Sequence, residues 1–64
     1  MESWLERAIK EDGKLDTKLG KLYDFIHSDK FDVLTEENKM YLLNQYNAMI
    51  SYSFWLKARI KINL

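Results

Sequence analysis

Sixty-four residues make one domain, residues 1–64, and a chain this short buries only a modest core by itself. Ten basic and ten acidic residues cancel, so no global field draws the chain to a nucleic-acid polymer or a membrane surface. There is no cysteine for a disulfide or thiolate metal site, a single histidine cannot build a histidine-rich one, and no cofactor motif is present. Self-association is the remaining route to stability. The absence of proline suits long helices, and no 18-residue uncharged apolar run implies a membrane span. No basic-then-apolar leader opens the sequence, so a cytoplasmic location is expected.

Ser3 followed by Glu6 fits a capping box, in which each side chain takes an orphan backbone N–H at a helix start. Leu5, Ala8, Ile9, Leu15, Leu19, Leu22 and Ile26 then follow helical spacing, with Asp12 as the skipped position. Asp12-Gly13 can be a turn, but the apolar stripe keeps its phase across it. That favours one helix from about Ser3 to His27 over two, with Gly13 as the place for any bend or break. Residues Ser28 to Leu34 lose the period and form the connection, with Phe31 and Leu34 folding back to plug the core. Thr35 before Glu36 and Glu37 makes an N-cap with acid in the first turn, where the helix dipole favours it.

The second helix runs from about Glu36 to Lys61. Leu42, Tyr46, Met49, Ser53, Leu56 and Ile60 mark one face of it. A second row is Tyr41, Gln45, Ala48, Tyr52, Trp55 and Arg59, and a third is Leu43, Ile50 and Phe54. One neighbouring helix covers one row, so the others call for further partners. The fold class is therefore all-α: an antiparallel two-helix hairpin that self-associates into a helical oligomer. A short connection predicts paired positions that sum to about 63, so that Leu22 lies near Tyr41, Leu15 near Ala48, and Arg7 near Leu56 and Arg59.

No nucleophile–base–orienter set is visible, so an enzyme is not expected. His27 reads as a solvent-facing residue at a helix C-terminus, with Asp24 and Asp29 nearby, rather than half of a catalytic pair. The notable group lies at the open end of the hairpin. Trp4 and Arg7 come from the first helix; Tyr52, Trp55 and Arg59 come from the second. Glu11, one turn after Arg7, is placed to hold its guanidinium. Rings that stack on bases and guanidinium groups that fork phosphate suit a nucleotide ligand. Trp, Tyr and Arg are equally what protein interfaces enrich, and on residue types alone the interface reading is the stronger.

Several words of the sequence match small hairpin proteins of tailed bacteriophages, crAss-like phages among them. They are Trp4-Leu5-Glu6-Arg7, Leu15-Asp16-Thr17-Lys18-Leu19, Lys21-Leu22 with Phe25-Ile26, and Tyr52-Ser53 followed by Leu56 and Arg59-Ile60. The chain resembles that group over most of its length. The group is in turn similar to the hairpin domain of phage anti-CBASS and anti-Thoeris sponges. Those are oligomers that sequester cyclic oligonucleotide or cyclic ADP-ribose signals of bacterial immune enzymes. Ala48-Met49, Tyr52 and Arg59 correspond to the sponges' C-terminal word, whereas bulky Phe54, Trp55 and Leu56 replace its small residues. The resemblance carries over Tyr52 and Arg59 alone as ligand contacts. It implies a homo-oligomer in the host bacterial cytoplasm that binds a cyclic nucleotide signal without cleaving it, in pockets between protomers near Arg7 and Arg59. The alternative is a small phage accessory protein that binds and inhibits a host or phage protein through its helix surface.

Overall fold

A computed structural model describes residues 2–64, all helix and connection among the described residues. Helix α1 spans Trp4–Ile26, α2 spans Asp29–Asp32 and α3 spans Glu36–Ile62. The two long helices pack antiparallel into a rod of 45 × 16 × 16 Å, as contacts from Trp4 to Arg59 and from Glu11 to Tyr52 require. No helix among the described residues is long and apolar enough to cross a membrane.

Local chemistry sets the helix ends. Ser3 Oγ accepts from the Glu6 backbone N–H at 3.1 Å, and Thr35 Oγ1 accepts from that of Asn38 at 3.2 Å. Each cap satisfies one of the donors that a helix start leaves unpaired. The capping box is one-sided, because the Glu6 carboxylate takes the Ser3 hydroxyl at 3.3 Å instead of a backbone N–H. Helix α1 runs unbroken through Gly13, whose carbonyl accepts from Thr17 Oγ1 at 3.2 Å. Neither Gly13 nor Gly20 has positive φ, and a Cβ on either would meet open space. Gly13→Ala should therefore raise stability by about 0.5–1 kcal/mol, readable as a higher melting temperature.

The connection departs from the expected two-helix hairpin, because it contains a helix of its own. Ser28 adopts extended backbone, and its carbonyl accepts from Phe31 N–H at 3.1 Å. Leu34 N–H then reaches the Phe31 carbonyl at 3.1 Å, closing a single turn. Phe31 and Leu34 are half-buried, while Val33 between them is exposed. The Lys39 ammonium lies 5.7 Å from the centre of the Phe31 ring, tying α2 to α3. One turn is too short to display a helical period, which is why the sequence reads there as a plain loop.

The inward face of α3 consists of Leu42, Tyr46, Met49, Ser53, Leu56 and Ile60, all buried or half-buried. Leu5, Ala8, Leu15, Leu19, Leu22 and Ile26 face it from α1. Among the described residues, Ala8, Leu56 and Ile60 form the buried apolar core, with Leu5 and Leu15 packed against it. The core is thus small and lies toward the open end. Asp12 interrupts the α1 stripe there, and α3 answers it with Lys57. Its ammonium donates to Asp12 at 2.7 Å and to Asp16 at 2.9 Å, and these two bonds raise its pKa above the usual 10.5.

Candidate ligand-binding site

The sequence places both arginines and both tryptophans of the chain within a few turns of the open end. The antiparallel register turns that proximity in sequence into two cross-helix rungs. In the first, the Arg59 guanidinium lies over the Trp4 ring, 5.3 Å from its centre. In the second, the Tyr52 hydroxyl donates to the Glu11 carboxylate. The rungs are seven residues apart on each helix, roughly 10 Å along the rod. Leu56 and Ala8 are buried between them. Both rungs obey the expected register.

Tyr52, Trp55, Leu56 and Arg59 line a shallow cavity of about 240 Å³ on the α3 side of these rungs. Trp55 is 67% exposed, and its only described ring contact is an edge-on one with Phe54, centre to centre 4.9 Å. A large indole left this far in water is a costly arrangement unless something covers it. Arg59 is exposed, and among the described residues it pairs with no carboxylate. A guanidinium stacked on an indole keeps its N–H edge free, so the Trp4 contact orients a fork without occupying it.

Of the six expected residues, the structure brings Trp4 onto Arg59, Glu11 onto Tyr52, and Trp55 beside Tyr52 and Arg59. Arg7 is exposed on α1 between the two rungs, in no ion pair among the described residues. The expected Glu11–Arg7 pairing is not what forms. Glu11 accepts from Tyr52 on the other helix, a cross-helix bond that the register rule contained and that the i to i+4 rule on one helix obscured. Lys57, absent from the sequence reading, anchors the cavity's helix to α1; Asp12 inside an apolar stripe was the signal for it.

The Glu11 hydrogen bond, with a smaller contribution from desolvation, raises the Tyr52 pKa above its ordinary 10.0. The phenol donates only while protonated, so that bond is intact below pH 10.0 and is lost as pH rises through the raised value. Ultraviolet titration should therefore show one tyrosine whose ionisation moves back toward its ordinary range in Glu11→Gln. An unchanged titration would mean that the two helices do not meet at this rung.

The far end of the rod carries Lys39 over the Phe31 ring and a Tyr41 hydroxyl that donates to Glu37 at 2.7 Å, with no arginine or tryptophan among the described residues. His27 ends α1, with Nδ1 2.9 Å from the Tyr23 carbonyl oxygen and its ring tilted against that of Tyr23. Among the described residues, no three His, Cys, Asp or Glu side chains are placed to hold a metal ion.

The family model for Sequestin matches residues 2–62, nearly the whole chain. The chain belongs to the Sequestin family. No curated protein and no solved structure matches it. The matched span covers both long helices, and so both rungs and the cavity of this Sequestin chain. The family's name denotes sequestering, which requires a surface that holds a molecule and no catalytic set.

Proposed function

We propose that this Sequestin is a phage anti-defence sponge, a homo-oligomer that binds a cyclic nucleotide immune signal without cleaving it. The signal is of the cyclic oligonucleotide or cyclic ADP-ribose type, and the sponge acts in the cytoplasm of the infected bacterium. The observation that carries this reading is the grouping of two arginines, unpaired among the described residues, with Trp4, Tyr52 and Trp55 at one end of the rod. Arg59 and Arg7 supply bidentate donors to phosphate oxygens. Trp55 and Tyr52 supply flat faces for a base, and Trp4 keeps the Arg59 fork in place. Glu11 holds the Tyr52 hydroxyl so that the aromatic wall is ordered before the ligand arrives. Preorganisation of this kind lowers the entropy cost of binding. Retention without chemistry belongs to this reading, in which the Tyr52 hydroxyl and the Glu11 carboxylate order the cavity wall.

Calorimetric titration with cyclic di- and trinucleotides and cyclic ADP-ribose isomers tests the reading. Binding of at least one member is expected, with the same compound recovered intact by chromatography after heat denaturation of the complex. A cleaved product would refute sequestration. Silence across the panel would favour the other reading, in which the exposed aromatics grip a host or phage protein.

A further inference from the structure

We propose that α3 pairs antiparallel with α3 of a second copy, along a seam that leaves the Trp4–Arg59 face uncovered. The seam is Met40, Leu43, Asn47, Ile50 and Phe54, exposed residues at alternating steps of three and four. That alternation is the spacing of coiled-coil contact positions. The seam is rotated by roughly 140° about the helix axis from the row of Tyr52, Trp55 and Arg59. The proposal rests on the self-association in the reading above and on none of its ligand chemistry.

Charge first points to a second copy as the occupant. From Met40 to Leu56, seventeen residues of α3 carry no charge, so a neutral surface is the fitting partner. Continuing the same steps outward reaches Glu36 at one end of the seam and Lys57 and Lys61 at the other. An antiparallel copy sets Glu36 beside the other chain's Lys61, and opposes the two helix dipoles. A parallel copy would set like charges together at both ends. The layers then fall as Leu43 on Phe54 of the second copy, and Asn47 on its Ile50.

Area agrees with charge. Met40, Leu43, Ile50 and Phe54 are 52%, 40%, 43% and 62% exposed. At roughly 200 Å² per large side chain, they leave about 400 Å² of apolar surface in water. That is half of the roughly 800 Å² per partner in a standard interface, close to the usual apolar share. A groove lined in part by Met40, Leu43, Asn44 and Asn47 indents the same strip. The buried core of a single chain, three residues among those described, gives the strip a reason to be covered. Asn47 is the polar residue in the centre of the seam. Two copies bring their Asn47 amides to either side of the two-fold axis, where donor and acceptor are reciprocal. A central asparagine fixes register and oligomer size at some cost in stability. Because the seam avoids Arg59, each protomer keeps a complete site of its own, in place of a pocket shared across the interface.

Cysteine cross-linking tests this pairing cleanly, because the chain has no cysteine of its own. In the Leu43→Cys/Phe54→Cys double variant, the two thiols on one helix lie roughly 16 Å apart and cannot bond to each other. Air oxidation should convert the double variant to a covalent dimer, while each single variant stays monomeric on a denaturing gel. Asn47→Leu should raise the melting temperature by several degrees and broaden the size distribution in sedimentation, with helicity retained by circular dichroism. Cross-linking of either single variant would overturn the antiparallel sense. An oligomeric wild type with no covalent dimer from the double variant, and with Asn47→Leu unchanged in size, would overturn this face while leaving self-association standing. A monomeric wild type at micromolar concentration would overturn self-association itself, and leave ligand binding to be judged separately.

Discussion

Leu56→Ala should destabilise the protein by about 2–5 kcal/mol, the range for deleting a buried leucine side chain and leaving a cavity. Leu56 is 6% exposed and belongs to a buried apolar cluster that, among the described residues, contains only Ala8 and Ile60 besides. With so few members, the cluster offers little neighbouring bulk to collapse into the space. The same side chain floors the cavity beneath Trp55 and Arg59, so the loss should also loosen the candidate site. Asn44→Ala, an exposed change on the same helix, should alter stability by no more than about 0.5 kcal/mol. Urea unfolding of both variants at one protomer concentration makes the comparison, because self-association adds a mass-action term to any apparent stability. Equal losses at Leu56 and Asn44 would refute the assignment of the inward face of α3.

Spacing alone offered three rows on α3, and the register pairs drew Tyr41 and Ala48 of the second row, both exposed in the structure, toward α1. The row of Leu42, Tyr46, Met49, Ser53, Leu56 and Ile60 is buried or half-buried along its whole length, although α3 is apolar on its other sides too. Periodicity marks the rows of such a helix without ranking them, and buried Ser53 shows that phase counts for more than composition. The continuity of α1 through Gly13 was legible, since an uninterrupted phase leaves no room for a turn. Two features escaped. Helix α2 is shorter than the repeat that would reveal it. The Lys57 bridge to Asp12 and Asp16 joins residues more than forty positions apart, and only the register says which cation meets which acid. The ligand lay out of reach on different grounds. An unpaired guanidinium beside exposed rings has the same sequence signature whether a nucleotide or a protein surface covers it.

Arg59→Ala separates those two, because it removes one donor fork and little else. The side chain is exposed, pairs with no carboxylate among the described residues, and has its guanidinium 5.3 Å from the Trp4 ring centre. Losing that contact should lower stability by no more than about 0.5–1 kcal/mol, the value of an exposed cation–π pair. Loss of a charge-assisted hydrogen bond to a ligand phosphate should weaken binding by roughly 1.5–3 kcal/mol. In a calorimetric titration that is about a tenfold to hundredfold rise in Kd. Arg59→Lys keeps the charge and loses the planar fork, so it should fall between wild type and Arg59→Ala. Trp4→Leu should weaken binding as well, because the fork then loses the ring that orients it. If Arg59 instead rims a protein interface, Arg59→Ala should slightly weaken assembly in sedimentation and leave every ligand isotherm as in wild type. A guanidinium that binds phosphate cannot give that second result, since its removal leaves the ligand's charge without a partner in the complex.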